Sequence, residues 1–302
     1  MKNELLNIIY TASPSQENKI KGFFAEIPDM EKDLDFFLEV YKPFMKLENV
    51  TVKNLADAYL EMLGQMMYCR KEFITTGEYI TKNQVDAFNN IYNDEAVMTK
   101  YMIALALSQF IWKHHYLVFN FYKESVKKIK QKDNILEVGS GHGLLLIETL
   151  KVIDKTQPID VVDISPASIR MTKNIIKSID STLLERINFY TSDINDYQTS
   201  KKYDFITIGE VIEHVDNPLK ILKSLYKSLS DSGELFITTC ANCPTIDHVY
   251  HFKNINEIQL LIEEAGFRIK TEITAPSENK SKKYIEKFKI DEIYAAILTK
   301  KV

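Results

Sequence analysis

The sequence predicts an α/β fold in which a seven-stranded, mostly parallel, doubly wound sheet follows an all-helical domain. From about residue 131 onward, short apolar runs alternate with amphipathic helical segments, the pattern of a parallel sheet covered on both faces. Before that point helical periodicity prevails and glycines are few. A chain of 302 residues, 45% of them hydrophobic, is long enough for both units. We therefore expect a helical domain over residues 1–130 and a sheet domain over residues 131–302.

The helical domain is predicted from apolar stripes and proline positions. The stripes lie within residues 51–69 and 84–110, and Pro14, Pro28 and Pro43 are expected to separate helices. Aromatic residues are frequent throughout this region. Most should form the core, while some line a pocket for an apolar or aromatic substrate. We expect the domain to cover that pocket as a lid and to offer a surface for a homodimer.

The sheet domain is predicted from seven apolar runs in chain order. Strands are expected over residues 134–138, 159–164, 187–190, 203–208, 234–239, 267–273 and 290–299. Helices are expected over 144–153, 165–178, 218–229 and 256–265, with Ser165 as an N-cap and Gly266 as a C-cap. The last two strands are joined by a charged segment, 276–289, which we interpret as a loop. The last two predicted strands are joined without a helix. This arrangement favours a seven-stranded sheet over the six-stranded sheet of a dinucleotide-binding fold.

Composition excludes several classes of protein. The formal net charge is −4, so no general attraction to nucleic acid is expected. The longest apolar stretches are too short to cross a membrane, and from its first residues we expect no secretion signal. Only three cysteines are present, Cys69, Cys240 and Cys243, which favours a reducing, cytoplasmic setting. We interpret the single C-x-x-C pair, Cys240 and Cys243, as two ordinary residues.

A glycine-spaced loop follows the first predicted strand. The pattern is E-x-G-x-G-x-G, with Glu137 two residues before Gly139 and with Gly141 and Gly143 completing the spacing. Glycines here let the backbone turn tightly and approach a ligand. A dinucleotide fingerprint would instead be G-x-G-x-x-G. The spacing therefore indicates a nucleotide-binding loop that differs from the dinucleotide-binding one.

Acidic residues follow the next three strands, at the edge where open α/β sheets bind ligands. Asp163, followed by Ile164, is placed where a carboxylate can accept both hydroxyls of a ribose. Asp193 can accept an adenine amino group while Ile194 packs on the ring. The fourth motif begins near Asp204 and contains Glu210.

Taken in this order, the four motifs resemble those of class I S-adenosylmethionine (SAM) dependent methyltransferases, over roughly residues 130–300. The resemblance implies that Glu137 and the glycine loop hold the methionine end of SAM. Asp163 would hold the ribose and Asp193 the adenine. Ile164, Ile194 and Glu210 complete the predicted cofactor set.

The fourth motif also contains a candidate metal or base site. On a helical turn, Glu210, Glu213 and His214 would share one face, and two carboxylates with one imidazole suit Mg²⁺, Mn²⁺, Fe²⁺ or Zn²⁺. E-x-x-E-H resembles the metal element of small-RNA 2′-O-methyltransferases and of ubiquinone-pathway O-methyltransferases. That resemblance implies His248 as a further ligand. Without a metal, His214 or His248 would be the general base.

The predicted reaction is methyl transfer from SAM to a small-molecule acceptor, in first place O-methylation of a hydroxyl. A bound metal would favour a catechol or vicinal diol. Four alternatives stay open at this point: a C- or N-methyltransferase of a natural-product pathway, an RNA 2′-O-methyltransferase, a SAM-binding scaffold without turnover, and an NAD-linked oxidoreductase.

Overall fold

The computed structural model describes residues 1–129 and 134–301, so the predicted boundary at 130/131 lies outside the described residues. Up to residue 129 the described chain is helical, as predicted. Its helices are α1 (Lys2–Ala12), α2 (Pro14–Glu26), α3 (Pro28–Leu47), α4 (Val52–Thr76), α5 (Gln84–Ala87), α6 (Glu95–Ile111) and α7 (Lys113–Val126), with one π-helical turn at Phe88–Tyr92 between α5 and α6.

Proline positions were predicted correctly at two of three places. Pro14 and Pro28 occupy the first position of α2 and α3, where the missing N–H costs no helical hydrogen bond. Pro43 does not separate helices, because it lies inside α3. Buried side chains on both sides of it, including Phe37, Tyr41 and Phe44, hold the helix together. Tertiary packing therefore outweighs the local preference of proline.

The sheet has seven strands in the order β3-β2-β1-β4-β5-β7-β6. The strands are β1 (Ile135–Val138), β2 (Ile159–Asp163), β3 (Ile187–Thr191), β4 (Tyr203–Gly209), β5 (Leu229–Ala241), β6 (Phe267–Pro276) and β7 (Glu292–Lys300). Strands β1 to β5 run parallel, and β7 is antiparallel to both β5 and β6. The strand order reverses between β1 and β4, so a crevice is expected at their carboxyl ends.

The connecting helices cover both faces of the sheet. They are α8 (Leu144–Val152), α9 (Pro166–Ile179), α10 (Pro218–Ser228) and α11 (Ile255–Glu264). Ser165 caps α9 as predicted, since its side chain accepts from the Ser168 amide. Buried side chains of α8 and α9, such as Ile147 and Met171, belong to the same apolar cluster as the core of the helical domain. The helical domain is thus packed directly against this side of the sheet domain.

The segment between β6 and β7 is not a loop throughout. Residues Lys282–Phe288 form a further helix, α12, which Ser281 caps by accepting from the Tyr284 amide. Its Ile285 is buried, and Arg70 of α4 donates to the Phe288 carbonyl at 2.7 Å. The segment was predicted to be a loop because it is rich in lysine. It instead contains a short amphipathic helix, and the C-terminus of that helix is capped by Arg70 of α4. Among the described helices, none is both long and apolar enough to cross a membrane.

Candidate active site

The glycine loop after β1 requires its glycines. Gly139, Gly141 and Gly143 all have positive φ, at 75°, 47° and 74°. A Cβ added to Gly139 would lie 2.4 Å from Cγ2 of Val211, which belongs to the segment after β4. Ser140 Oγ and the Gly141 amide donate to Asp163 at 3.2 Å each. The end of β2 therefore fixes the shape of the loop after β1.

Asp163 and Asp193 both lie on the wall of one cavity, together with Ile164 and Ile194. Asp163 also accepts from the Ser165 amide at 2.8 Å. Burial raises the pKa of the Asp163 carboxyl, although these donors oppose the shift. Asp193 accepts from the Asn195 amide at 2.8 Å and lies 3.4 Å from the Gln84 side-chain nitrogen of α5.

Two predicted cofactor residues lie behind the cavity wall rather than on it. Glu137 is 2% exposed, and within the part of the chain that the structure describes one of its carboxylate oxygens, Oε1, has no hydrogen-bond partner. Burial, followed by the charge of Asp163, raises its pKa well above the usual value. Gly143 packs against Thr172, whose Oγ1 would lie 3.3 Å from an added Cβ. Both residues support the loop from beneath.

The cavity has a volume of about 380 Å³ and lies between the glycine loop and the helical domain. Apolar and aromatic side chains from the π-helical turn, α6 and α7 form one wall, among them Phe88, Tyr92, Tyr101, Met102 and Phe119. Every one of the lining residues belongs to the described chain, and none of them is Lys or Arg. Glu210, His214 and His248 also line this cavity, and His214 contacts Tyr92, so residues of the predicted donor and acceptor sites share one cavity.

His214 lies in a short 3-10 turn, Ile212–His214, after β4. The predicted common helical face is wrong, because Glu210 precedes this turn with a φ of 50°. In place of a helical turn that includes Glu210, the backbone turns sharply after Gly209, and the 3-10 turn begins only at Ile212. His214 Nδ1 lies 2.7 Å from the Tyr92 hydroxyl and 3.1 Å from the Asp247 carbonyl oxygen.

Asp247 is a site residue that sequence reasoning missed. It is 1% exposed, and it accepts from Thr245 Oγ1 at 2.8 Å and from the hydroxyls of Tyr92 and Tyr101 at 3.3 Å each. Burial raises the pKa of its carboxyl, but nearby His214, with further groups, outweighs that effect and holds the pKa below its usual value. An acid directly before the predicted His248 was the only local signal.

His248 is held in one tautomer by its surroundings. Its Nδ1 lies 2.7 Å from the Cys243 carbonyl oxygen, so Nδ1 carries the proton and donates, and Nε2 keeps its lone pair. The rings of His248 and His214 are 4.7 Å apart at an angle of 84°. Burial and the proximity of His214 lower the pKa of His248 to about 3, so the ring is neutral at physiological pH.

The predicted metal ligands fall into overlapping groups. Ligand atoms of Glu213, His214 and His248 lie within 4.8 Å of one another, whereas Glu210 is grouped with Glu213 and Cys240. Glu213 is fully buried; its Oε2 accepts from Thr239 at 2.7 Å, and its Oε1 has no hydrogen-bond partner among the described residues. Burial, with the charge of Glu210, raises its pKa well above the usual value. An unpartnered buried carboxylate oxygen beside two imidazoles fits a cation ligand.

The sheet order and the glycine loop define the class I SAM-dependent methyltransferases. The chain belongs to that group: the family model described as "Methyltransferase domain" matches residues 112–272. The chain therefore contains a methyltransferase domain of the SAM-dependent class. The match includes all the strand-end motifs and the whole of α7.

Curated relatives act on different acceptors. The chain is 34% identical over 113 residues to malonyl-[acyl-carrier protein] O-methyltransferase 1 of Ilyobacter polytropus, covering 37% of this chain and 40% of the relative. It is 30% identical over 105 residues to the mitochondrial ubiquinone biosynthesis O-methyltransferase of Candida albicans, covering 35% and 32%. It is 24% identical over 194 residues to a tRNA U34 carboxymethyltransferase of Campylobacter jejuni, covering 58% and 64%. The chain thus matches less than two thirds of each relative's length.

Solved structures share the fold. N-methyltransferase NodS from Bradyrhizobium japonicum, in complex with S-adenosyl-L-homocysteine, aligns with a TM-score of 0.53 at 13% identity, over 73% of this chain and all of that one. Mitomycin 7-O-methyltransferase MmcR aligns with a TM-score of 0.55 at 10% identity, over 78% and 68%. At these identities the likeness establishes the fold and leaves the acceptor undetermined.

Proposed function

We propose that this enzyme transfers the methyl group of SAM to a hydroxyl oxygen of a small-molecule acceptor. One observation carries the proposal: a single cavity joins the glycine loop and Asp163 to a cluster of His214, Asp247 and Tyr92. The donor would occupy the strand-end side and the acceptor would lie against the helical domain. Holding donor and acceptor in line is the main task, since the sulfonium already activates the methyl carbon.

The charge of the cavity supports a neutral acceptor. Carboxylates of Glu210, Asp247 and Asp291 lie on its wall, and the lining residues, all within the described chain, include no Lys or Arg. An anionic acceptor would lose its hydration without gaining a cationic partner, which is costly in a largely apolar cavity. This argues against a nucleic-acid phosphate and against the free carboxylate of a malonyl group as the acceptor. A neutral hydroxyl carries no such penalty.

His214 is the proposed general base. Donation of its Nδ1 proton to the Asp247 carbonyl oxygen leaves Nε2 free to take the proton of the acceptor hydroxyl. The acceptor oxygen then forms the bond to the methyl carbon as the carbon–sulfur bond breaks, and neutral S-adenosylhomocysteine leaves. The Asp247 carboxylate, 3.5 Å from His214 Nδ1, stabilises the resulting imidazolium. His248 is a poorer base because its pKa is about 3.

A divalent metal is the second part of the proposal. Glu213, His214 and His248 would hold it, and Glu210 would support it through Glu213. When bound, the ion supplies Lewis-acid polarisation that lowers the pKa of an acceptor hydroxyl and favours two vicinal oxygens, as in a catechol. In that form of the enzyme His214 serves as a ligand instead of a base. The unpartnered Oε1 of Glu213 is the observation that favours this form.

The test is S-adenosylhomocysteine release with a panel of catechols, monophenols, alkyl diols, primary amines and unmodified tRNA. We expect turnover with hydroxyl acceptors, and loss of catechol turnover in excess EDTA if the metal form operates. Turnover confined to amines or to tRNA would overturn the acceptor proposal. Full catechol activity in excess EDTA would reject the metal-dependent form of the proposal. His214 would then remain the proposed general base. As a control for the cofactor, SAM should raise the melting temperature and NAD should not.

A further inference from the structure

A thiol pair lies next to the proposed metal ligands. Cys240 is the penultimate residue of β5 and is 2% exposed, and Cys243 follows in the loop that leads to His248. The ligand atoms of Cys240, Cys243 and His248 lie within 4.8 Å of one another. The distance from Cys240 Sγ to His248 Nδ1 is 3.7 Å. The C-x-x-C pair, interpreted from sequence as ordinary, therefore lies next to the proposed site.

Cys240 also groups with the carboxylates. Its Sγ and the carboxylate oxygens of Glu210 and Glu213 lie within 4.8 Å of one another. Cys240 Sγ is thus close to carboxylate oxygens of Glu210 and Glu213, to the Cys243 thiol and to the Nδ1 side of the His248 ring. Glu213 belongs both to this group and to the group with the two histidines. An ion bound to Glu213 would consequently have the Cys240 thiol within reach.

We propose that Cys240 is a ligand of this metal site and that its thiolate makes the site select Zn²⁺ over Mg²⁺. The inference rests on the metal-dependent form of the proposed function. Carboxylate oxygens alone would suit Mg²⁺, but thiolate sulfur and imidazole nitrogen are preferred by Zn²⁺ and disfavoured by Mg²⁺. Ligation requires loss of the thiol proton, which is released to solvent as the metal binds.

The surroundings of the thiol support this role. Carboxylates of Glu210 and Glu213 lie close by, and Glu213 Oε1 has no hydrogen-bond partner within the described chain, so Glu213 offers a buried carboxylate oxygen as a ligand. The Cys243 carbonyl holds His248 through Nδ1, and such a contact fixes the ring of a metal-binding histidine. Cys243 itself lines the cavity, and Cys240 lies deeper.

The experiment uses Co²⁺ as a spectroscopic probe of the full-length protein after removal of metal with a chelator. Thiolate ligation gives Co²⁺ an intense near-ultraviolet charge-transfer band. We expect this band in the wild type, its loss in Cys240→Ser, and its retention in Cys69→Ser. Cys69 is the matched control, a buried free cysteine of α4 that belongs to none of the metal-ligand groups. We also expect stoichiometric Zn²⁺ to abolish the wild-type band and a large excess of Mg²⁺ to leave it unchanged.

Zn²⁺ affinity should fall by about 100-fold or more in Cys240→Ser, since even outer-shell changes cost 10–100-fold. Equal SAM binding by wild type and variant would show that the variant is folded. Co²⁺ binding without the charge-transfer band would overturn thiolate ligation and leave the metal proposal intact. A band lost in Cys243→Ser but kept in Cys240→Ser would reject Cys240. Failure to bind Co²⁺ at all, with hydroxyl methylation still present, would reject the metal site and retain the methyl-transfer function.

Discussion

The donor side and the acceptor side of the cavity are built in different ways. Donor residues come from one stretch of chain, at the ends of β1, β2 and β3, and their key features are backbone conformations and short-range hydrogen bonds. Acceptor residues come from three separate segments. Tyr92 and His214 are 122 positions apart in sequence, and Tyr101 and Asp247 are 146 positions apart. The donor residues are thus closer together in sequence than the acceptor residues, although both sides need the folded sheet.

This difference predicts that the two sides can be damaged separately. A substitution on the acceptor side should slow methyl transfer and spare SAM binding, because its residues do not shape the glycine loop. A substitution on the donor side should weaken SAM binding first. The four predictions below test this separation, beginning with the largest expected effect.

His214→Asn should lower kcat for a hydroxyl acceptor by about 10² to 10⁴-fold, because it removes the proposed base or metal ligand. SAM affinity, measured by calorimetry, should stay within about twofold of wild type. His251→Asn is the matched control, since this histidine bonds to Asn242 and lies off the cavity wall. An equally large loss of SAM affinity in His214→Asn would contradict the separation.

Gly139→Ala should weaken SAM binding by about 100-fold, equivalent to about 2.7 kcal/mol. The added Cβ meets Val211 Cγ2 at 2.4 Å, and φ at this position is 75°, so the loop must move. Gly64→Ala is the control, because nothing lies within 4 Å of its added Cβ and it lies inside α4. That variant should bind SAM normally and gain about 0.5–1 kcal/mol of stability. Normal SAM affinity in Gly139→Ala would show that the glycine loop is not part of the SAM-binding site.

Asp163→Asn should weaken SAM binding at least about tenfold, or 1.4 kcal/mol, through loss of the proposed ribose acceptor and of contacts to the loop. Titration calorimetry with SAM measures it directly. Asp196→Asn serves as control, because Asp196 is exposed and outside the cavity wall. Unchanged affinity in Asp163→Asn would exclude the ribose role.

Glu137→Gln should raise the melting temperature by about 2 °C at neutral pH and have no effect near about pH 4. The folded-state pKa of Glu137 is raised, mainly by burial, so the folded protein binds its proton more tightly than the unfolded chain does. Stability from this group is present below the unfolded pKa and is lost as the pH rises toward the folded pKa. Glutamine does not ionise and avoids that loss.

SAM affinity should change less than about threefold in Glu137→Gln, because the residue lies behind the cavity wall. A larger loss would restore Glu137 as a direct cofactor ligand. Thermal unfolding at two pH values and calorimetry at neutral pH decide both points.

Much of the fold was predictable because it depends on local patterns. All seven strands occur where their apolar runs lie, and Ser165 caps α9 as its position indicates. Pro43 and α12 were predicted wrongly because packing and a distant cap, from Arg70, decide their conformation. The shared helical face of Glu210 and His214 failed for a similar reason, since Glu210 adopts a positive φ after β4.

The sequence by itself determined the sheet, the glycine loop and the order of acids at the strand ends, because periodicity and spacing encode backbone conformation directly. Tertiary structure alone decided which side chains meet on the acceptor side. Asp247 joined Tyr92, Tyr101 and His214, and Cys240 joined Glu213, through contacts between segments far apart in the chain. The contacts of Tyr92 and Tyr101 depend on how the helical domain packs on the sheet, and the others depend on how the segments after β4 and β5 meet. No short window of sequence records either arrangement.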